Sequence, residues 1–547
     1  MKQIIQFLLL VFILVGGLAT NSYCDVNAEN EIQKSVEKKS KKTSKNHKSK
    51  KSSKKQVSAF EIANSGFVIE NKIDEIVLKN LRSKKIVPAF KASEAVMLRR
   101  VYLDLTGTIP DSRQASKYLT DKSKDKYEHL VDALLASDDF NIYTTMRIGD
   151  FLRIKSEFPI NLWPNAAQAY TRYVYSSVAQ NKSWADMVYE MLTSSGSNFR
   201  VGQVNFYRAM QAKNPTNYAS AVALSFMGLD FESLTKPHKN SLVNIFKSIK
   251  MKETKEWKEE IVFDDPLKTF SFIAKMPNGD KLIIENSSSP RVEFARWLTS
   301  KKNPYLAKVF VNRVWNWLIG TPIISPADNI NGSNVNPELI EYLTNYFVEN
   351  NFDIRKLFRL IVLSRTYAGS PIPRDDIEKS VENFASYKVR QAEAEVVNDL
   401  LCKVTEIGEV FESTTPEPYT LMPKDTRAIA LYDAGITTSF LELFGKTPRD
   451  TGKAQERVNA PSPSQRLHVL NSTHVRRKIE RSPVLSRILN RKDFIRVVYL
   501  HLLSRYPTQS EVKFFKSVKT NKQYKDWQKH YDLMWALINS EEFINKH

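Results

Sequence analysis

Cysteine is nearly absent from this sequence: the 547 residues contain two, Cys24 and Cys402. One lies in an N-terminal apolar stretch and the other in a helical pattern, so no structural disulfide is expected. A chain of this length can stabilise itself by its core alone. Glycine is scarce as well, at 16 residues, which argues against a turn-rich all-β protein. The eight histidines form no HExxH, no HxH and no paired spacing with carboxylates, so the common zinc signatures are missing. GxSxG, phosphate-binding glycine loops and dinucleotide fingerprints are missing too. What these absences leave open is chemistry by carboxylates gathered only in space, and sixty Asp and Glu residues do not single out a pair.

What is present begins with charge. The net charge of +21 suggests a nucleic-acid binder, but eleven Lys against one Glu lie between Lys34 and Lys55, a local net of +10 that leaves +11 for the rest. That remainder is an ordinary basic surface. The Lys/Ser tract cannot bury apolar area and reads as a disordered spacer, with an electrostatic tether to an anionic surface as the sharper alternative. Residues 1–28 read as a signal peptide: Lys2 supplies the positive end, Phe7 to Ala19 the apolar run, and Cys24 or Ala28 a cleavage point. The run is too short for a comfortable membrane span, and Tyr23 before Cys24 argues against a lipoprotein. The expectation is an exported protein, periplasmic, cell-surface or extracellular, with no transmembrane helix in the mature chain. Nucleic acid is the least favoured partner on that ground.

The rest is helical in pattern. Asn303-Pro304 and Asn336-Pro337 each place a capping Asn before a Pro suited to the first helical position. Behind them, Val309, Phe310, Val314, Trp317 and Leu318, and then Leu339, Ile340, Leu343, Tyr346 and Phe347, fall on single faces. Gly320 is placed to end the first of these helices. A third helix starts at Asp353 and carries Leu357, Phe358 and Ile361. Alternating residues on both sides of Asn278-Gly279-Asp280 predict a β-hairpin. The predicted fold is mainly α: two helical domains with a short β-hairpin insertion between them.

The segments LRRVYLDLTGTIP, NPYLAKVFVNRVWNWLIG, FLELFGKTPRD, PSPSQRLHVLNS and YLHLLSRYPTQSE resemble one family. It is the secreted planctomycete-type family in which a cytochrome-associated PSCyt domain is followed by a PSD domain, both of unknown function. The resemblance implies a PSCyt-like helical domain over 60–250, a connector over 251–289 and a PSD-like helical domain over 290–547, behind the signal peptide (1–28) and Lys/Ser linker (29–59). Many relatives carry a CxxCH-like segment after an FLG-type stretch. Here Phe226-Met227-Gly228 is followed by no cysteine and only by His238, so covalent haem attachment is excluded at this place. Relatives also place cysteines near a Glu-Arg pair, and here Glu456 and Arg457 remain without them. No cofactor is expected.

Three places invite a ligand. The loop SPADNINGSNVN offers Asp328 and Asn331 among its oxygens, suited to sugar hydroxyls or, as the weaker reading, calcium. VNRVW offers Arg313 and Trp315, with Arg313 placed to pair with Asp104 or Asp328. Arg449, Glu456 and Arg457 follow in a Gly/Pro-punctuated loop where polar groups can converge on a cleft. The expected function is an extracytoplasmic binding or scaffold component linked to polysaccharide use. Its expected partner is an anionic polysaccharide or cell-envelope component. The alternatives are a glycan hydrolase using interdomain carboxylates, or a redox-associated protein that has lost its thiols.

Overall fold

The structure is a computed structural model that describes residues 59–286, 288–416, 420, 422–423, 425–489, 491–521 and 523–547. The expected signal peptide, Cys24 and the Lys/Ser tract lie outside the described residues. Residues 59–547 form one compact unit, and helix dominates it. The first half contains α1 (Lys72–Ser83), α2 (Glu94–Thr106), α3 (Ser112–Thr120), α4 (Lys126–Leu135), α5 (Asp138–Phe151), α6 (Pro164–Ala179), α7 (Trp184–Thr193), α8 (Pro215–Val222) and α9 (Lys236–Ile245). The second half contains α10 (Pro290–Leu298), α11 (Leu306–Ile319), α12 (Pro337–Glu349), α13 (Ile354–Val362), α14 (Ile377–Glu382) and α15 (Ala394–Thr405). Shorter helices complete the chain: α16 (Ser439–Leu443), α17 (Pro463–Asn471), α18 (Thr473–Glu480), α19 (Pro483–Ile488), α20 (Phe494–Leu503), α21 (Gln509–Ser517), α22 (Asp526–Ile538) and α23 (Glu541–Ile544).

Among the described residues, strands occur only as short antiparallel pieces. β1 (Glu61–Ile62) pairs with β2 (Lys91–Ala92). β3 (Gly196–Ser197), β4 (Ile249–Glu253) and β5 (Glu260–Asp264) form a sheet in the order β3–β5–β4. The predicted hairpin is β6 (Phe272–Lys275) with β7 (Lys281–Ile284), in register Phe272 to Ile284 and Lys275 to Lys281. β8 (Ile324–Ser325) pairs with β9 (Ser333–Asn334), and β10 (Arg390–Gln391) with β11 (Asn545–Lys546). The β4–β5 ribbon was not foreseen. Its alternation is diluted by Lys250, Lys252, Glu253 and Glu260, and β3, sixty residues upstream, completes its sheet.

The capping logic holds with one shift. Asn336 accepts from Leu339 N–H behind Pro337, and Asp353 caps α13 by accepting from Lys356 N–H. Asn303 Oδ1 accepts from both Tyr305 and Leu306, so Pro304 and Tyr305 form the capped turn and the regular helix begins at Leu306. Gly320 ends α11 at φ 87, a conformation that costs a glycine little.

The two halves share one core. Trp184 of α7 stacks on Phe310 of α11, centroids 4.6 Å apart and planes 22° apart. Phe310 in turn stacks on Phe347 of α12 at 5.5 Å, and Phe206 on Phe226 at 4.8 Å. Such pairs add specific geometry to large buried areas. Gly228 lets the halves close: a Cβ there would stand 2.8 Å from both Val309 and Ile330, and Ile330 N–H donates to its carbonyl at 2.9 Å. α5 is buried on nearly every face, from Phe140 through Tyr143, Arg147 and Ile148 to Phe151.

Candidate functional site: a polar cavity on a buried ionic layer

The site is built on α5. Ser137 caps this helix through Phe140 N–H, and Asp138 and Asp139 occupy its first turn, where the helix dipole favours carboxylates. Tyr143, Arg147 and Asp150 follow at spacings of four and three, which line them along one side. Facing them is the start of α15, which places Glu393 and Glu395 at a second helix N-terminus, again the end that favours acids.

The groups meet in a connected layer. Arg147 Nη2 stands 2.5 Å from Glu393 Oε1, and Tyr143 Oη donates to Glu393 Oε2 at 2.8 Å. Lys546, completely buried, bridges Glu393 Oε2 at 2.9 Å and Asp104 Oδ1 at 3.3 Å. Asp104 also receives Arg390 at 3.1 Å and the hydroxyls of Tyr367 and Tyr387 at 2.9 and 2.8 Å. One helical turn along α5, Asp150 holds Arg449 through Oδ1 at 2.9 Å and Arg457 through Oδ2 at 2.9 Å. Arg457 reaches Glu395 at 2.6 and 3.1 Å in a two-pronged pair, the strong form of this contact.

Burial alone would push the Glu393 carboxyl up, but Arg147, Lys546 and Arg457 hold it well below the usual carboxylate range. Burial likewise opposes the charge on Glu395, and Arg457 overrides it downward. Burial keeps Lys546 below its ordinary value despite Glu393 and Asp104. Removing one member of such a set leaves an uncompensated buried charge.

Beside this layer lies a cavity of about 540 Å3. Among the described residues its walls carry six cationic side chains, Arg147, Arg313, Lys388, Arg390, Lys453 and Arg457, against three acidic ones, Asp150, Asp328 and Glu393. Each of the acids is ion-paired, Asp328 to Arg313 at 2.9 Å. Lys388 and Lys453 are exposed at its edge, and neither forms an ion pair among the described residues. Burial and the adjacent Arg390 lower the Lys388 ammonium below its ordinary value. Three wall residues carry buried polar atoms without a hydrogen-bond partner: Gln391 at both ends of its amide, Arg147 at Nε and Asn459 at Oδ1. Gln391 is only 2% exposed, and a buried polar group left unpaired costs about 1–3 kcal/mol. The cavity walls therefore carry an excess of positive charge.

The residues singled out by sequence divide sharply. Arg313, Asp328 and Arg457 line the cavity. Arg313 pairs with Asp328 and donates to the carbonyls of Ser225 and Leu224. The other partner considered for it, Asp104, belongs to Arg390 and Lys546 instead. Arg449 stands behind, on Asp150, and lines a separate cavity of about 480 Å3. Glu456 is spent on the backbone N–H groups of Thr451 and Gly452. Trp315 is fully buried against Phe384, so it packs rather than binds. Asn331 is exposed on its loop, away from the cavity walls.

Several other oxygens of the 326–336 loop are engaged: Asn329 and Asn334 cap turns, and Asp328 also accepts from Ala454 N–H. His468 and His474 approach to 5.8 Å, but among the described residues no three side chains are grouped to hold a metal. Burial pushes the Cys402 thiol up to about 11, unsuited to a nucleophile. The key groups that sequence reasoning did not single out are Arg147, Asp150, Lys388, Arg390, Gln391, Glu393, Glu395 and Lys546. The Tyr143/Arg147 spacing and the RQAEAE run at the start of α15 were the only local signals.

Among the described residues no helix is long and apolar enough to cross a membrane. No curated protein and no solved structure matches the chain. Residues 72–232 match PSCyt2, described as a protein of unknown function (DUF1549), and residues 290–518 match PSD1, described as a protein of unknown function (DUF1553). α5 and its Arg147 and Asp150 fall within the first match, and Arg313, Glu393 and Arg457 within the second, so the cavity is built by both. The chain thus belongs to the family in which a PSCyt2 domain is followed by a PSD1 domain.

Proposed function

We propose that this protein is an exported binding component that holds an acidic group of a polysaccharide in the cavity between the PSCyt2 and PSD1 segments. The observation that carries the reading is the imbalance of the walls: six cations against three acids, with the Gln391 amide buried and unpartnered at both ends. A sulfate or carboxylate would take up the charge of Lys388 and Lys453 without breaking an existing pair. A hydrolytic reading draws no support from the same walls. The acids are committed to ion pairs, and Glu393 is held well below the range of a proton donor near neutral pH.

The test is thermal unfolding of the chain lacking residues 1–28, with chondroitin sulfate, pectate and neutral dextran as probes. A ligand at 100 times its Kd stabilises the folded state by about 2.7 kcal/mol, so an acidic glycan raises the midpoint and dextran does not. Added salt shrinks the shift. Lys388→Ala with Lys453→Ala leaves the unliganded midpoint in place and removes the shift, because neither side chain serves the fold. A flat panel, or a shift that survives the double substitution, overturns the reading.

A further inference from the structure

A second cavity, of about 480 Å3, lies beside α5. Ile142, Thr145, Met146 and Gly149 line it and recur at spacings of three and four, so they form one row along the helix. Tyr143, Arg147 and Asp150 of the ionic layer form the neighbouring row, about 100° round the axis. Arg449 stands between the two. A Cβ at Gly149 would lie 3.3 Å from Arg449 Cζ and Nη1 and 3.4 Å from Nη2, so the guanidinium rests face down on this glycine. Its edges donate to Asp150 at 2.9 Å, to Met146 O at 3.1 Å and to Ile154 O at 3.3 Å. The cation at the back of this cavity is therefore already paired.

The remaining walls differ in kind from those of the first cavity. Met146, Ile154, Ile429 and Leu431 are buried and line the space with hydrocarbon. Polar groups among them are turned to other partners. Gln168 Nε2 donates to Tyr432 Oη at 3.2 Å, Thr171 Oγ1 to Tyr432 O at 2.7 Å, Thr145 Oγ1 to Asn141 O at 2.7 Å, and Tyr175 Oη to Asp138. Arg172 is different. It lies on the same side of α6 as Gln168 and Tyr175, at spacings of four and three. It lines the cavity from an exposed position and enters no hydrogen bond or ion pair among the described residues. Among those residues no acidic side chain lines this cavity. The result is an apolar hollow with one unpaired cation at its edge.

We propose that this second cavity binds a small amphipathic acid, an apolar body carrying one acid group, with Arg172 meeting the acid. Its volume falls in the range of small-molecule sites, about 300–1,000 Å3. Moving an apolar body from water onto the hydrocarbon walls is favourable in proportion to the area covered. The acid group stays near the surface, where the guanidinium meets it without the cost of burying an unpaired charge. Sugar hydroxyls would find few free partners on these walls, so this ligand is of another class than the one proposed for the first cavity.

The experiment is fluorescence titration of the chain lacking residues 1–28 with anilinonaphthalenesulfonate and with phenylnaphthylamine, the same aromatic body without the acid. Both dyes bind saturably. Arg172→Ala weakens the sulfonate by about fivefold and leaves the neutral dye unchanged, and Arg172→Lys keeps most of the affinity. Ala430→Trp, which enlarges an exposed wall position, excludes both dyes. Arg172 and Ala430 are exposed, so an unchanged unfolding midpoint verifies that the variants are folded. The Lys388→Ala, Lys453→Ala background leaves both titrations as they were, which separates this site from the first cavity. Decanoate and naphthalene carboxylate then compete with the sulfonate, and the stronger competitor identifies an aliphatic or an aromatic source. Displacement by neither overturns the proposal. So does dye binding that survives Ala430→Trp, the absence of saturable binding, or an Arg172→Ala loss as large for the neutral dye as for the sulfonate.

Discussion

The aromatic core and the ionic layer are both buried and both join the two halves, yet they hold the molecule by different rules. In the core, Trp184, Phe310 and Phe347 stack in sequence, and each contact adds a little to a sum that no single neighbour decides. In the layer, Glu393, Arg147, Lys546 and Asp104 neutralise one another, and the worth of each depends on whether its partners remain. Burying charge costs free energy that only complete pairing offsets. The layer therefore specifies which surfaces meet more than it adds stability, and its incomplete edge is where the charge of the proposed ligand would fit.

The largest expected effect comes from breaking one member of the layer. Glu393→Gln leaves Arg147 and Lys546 without their shared acid and lowers the unfolding free energy by about 3–5 kcal/mol in urea titration. Lys546→Met does the same from the other side, exposing Asp104 and Glu393 to each other. Glu393→Leu combined with Lys546→Met loses far less than the sum of the two single changes, because the pair departs together. Additive losses would contradict the picture of one connected layer.

Next in size is a pH effect at the edge of the layer. His547 is buried against Phe60, and burial lowers its imidazole from 6.5 to about 4. A group whose folded value is depressed contributes stability that is present above its unfolded value and lost as pH falls through the folded one. The window is therefore pH 6.5 down to about 4, with on the order of 3 kcal/mol at stake. Urea midpoints across that range should fall more steeply for the native chain than for His547→Asn; parallel curves would remove this residue from the account.

The smallest effects belong to the core. Ile361→Val and Ile245→Val, both at fully buried positions, should each cost about 1 kcal/mol. α13 packs on α11 and α12, whereas α9 packs on α8 and β6, so the two losses should add. Strong coupling between them would show that the core is as interdependent as the layer, and the contrast would fail.

The same contrast explains what the sequence discloses. Val309, Phe310, Leu343, Phe358 and Ile361 repeat with the helical period because each helix buries one stripe, so α11, α12 and α13 were legible with their caps. α5 was not, because it is buried nearly all round and has no stripe to display. The candidate site suffered most. Arg313 and Asp328 lie only 15 residues apart, and Asp328 was one of the two partners the sequence offered for Arg313. Lys546 on Asp104 and Glu393, or Asp150 on Arg449 and Arg457, join positions far apart in sequence, and nothing in one dimension says which Lys meets which acid. Trp315 misled because an aromatic in a distinctive motif reads equally well as contact or core; only its burial against Phe384 decides it.

The central claim, that the cavity on this layer takes an acidic group, is tested most directly by locating an anion. Crystals of the chain lacking residues 1–28, soaked in selenate and measured at the selenium edge, should show an anomalous peak in the cavity within hydrogen-bond reach of Lys388 Nζ or Lys453 Nζ, absent from Lys388→Ala, Lys453→Ala crystals. Selenate bound only elsewhere, with the cavity holding water alone, would contradict the account.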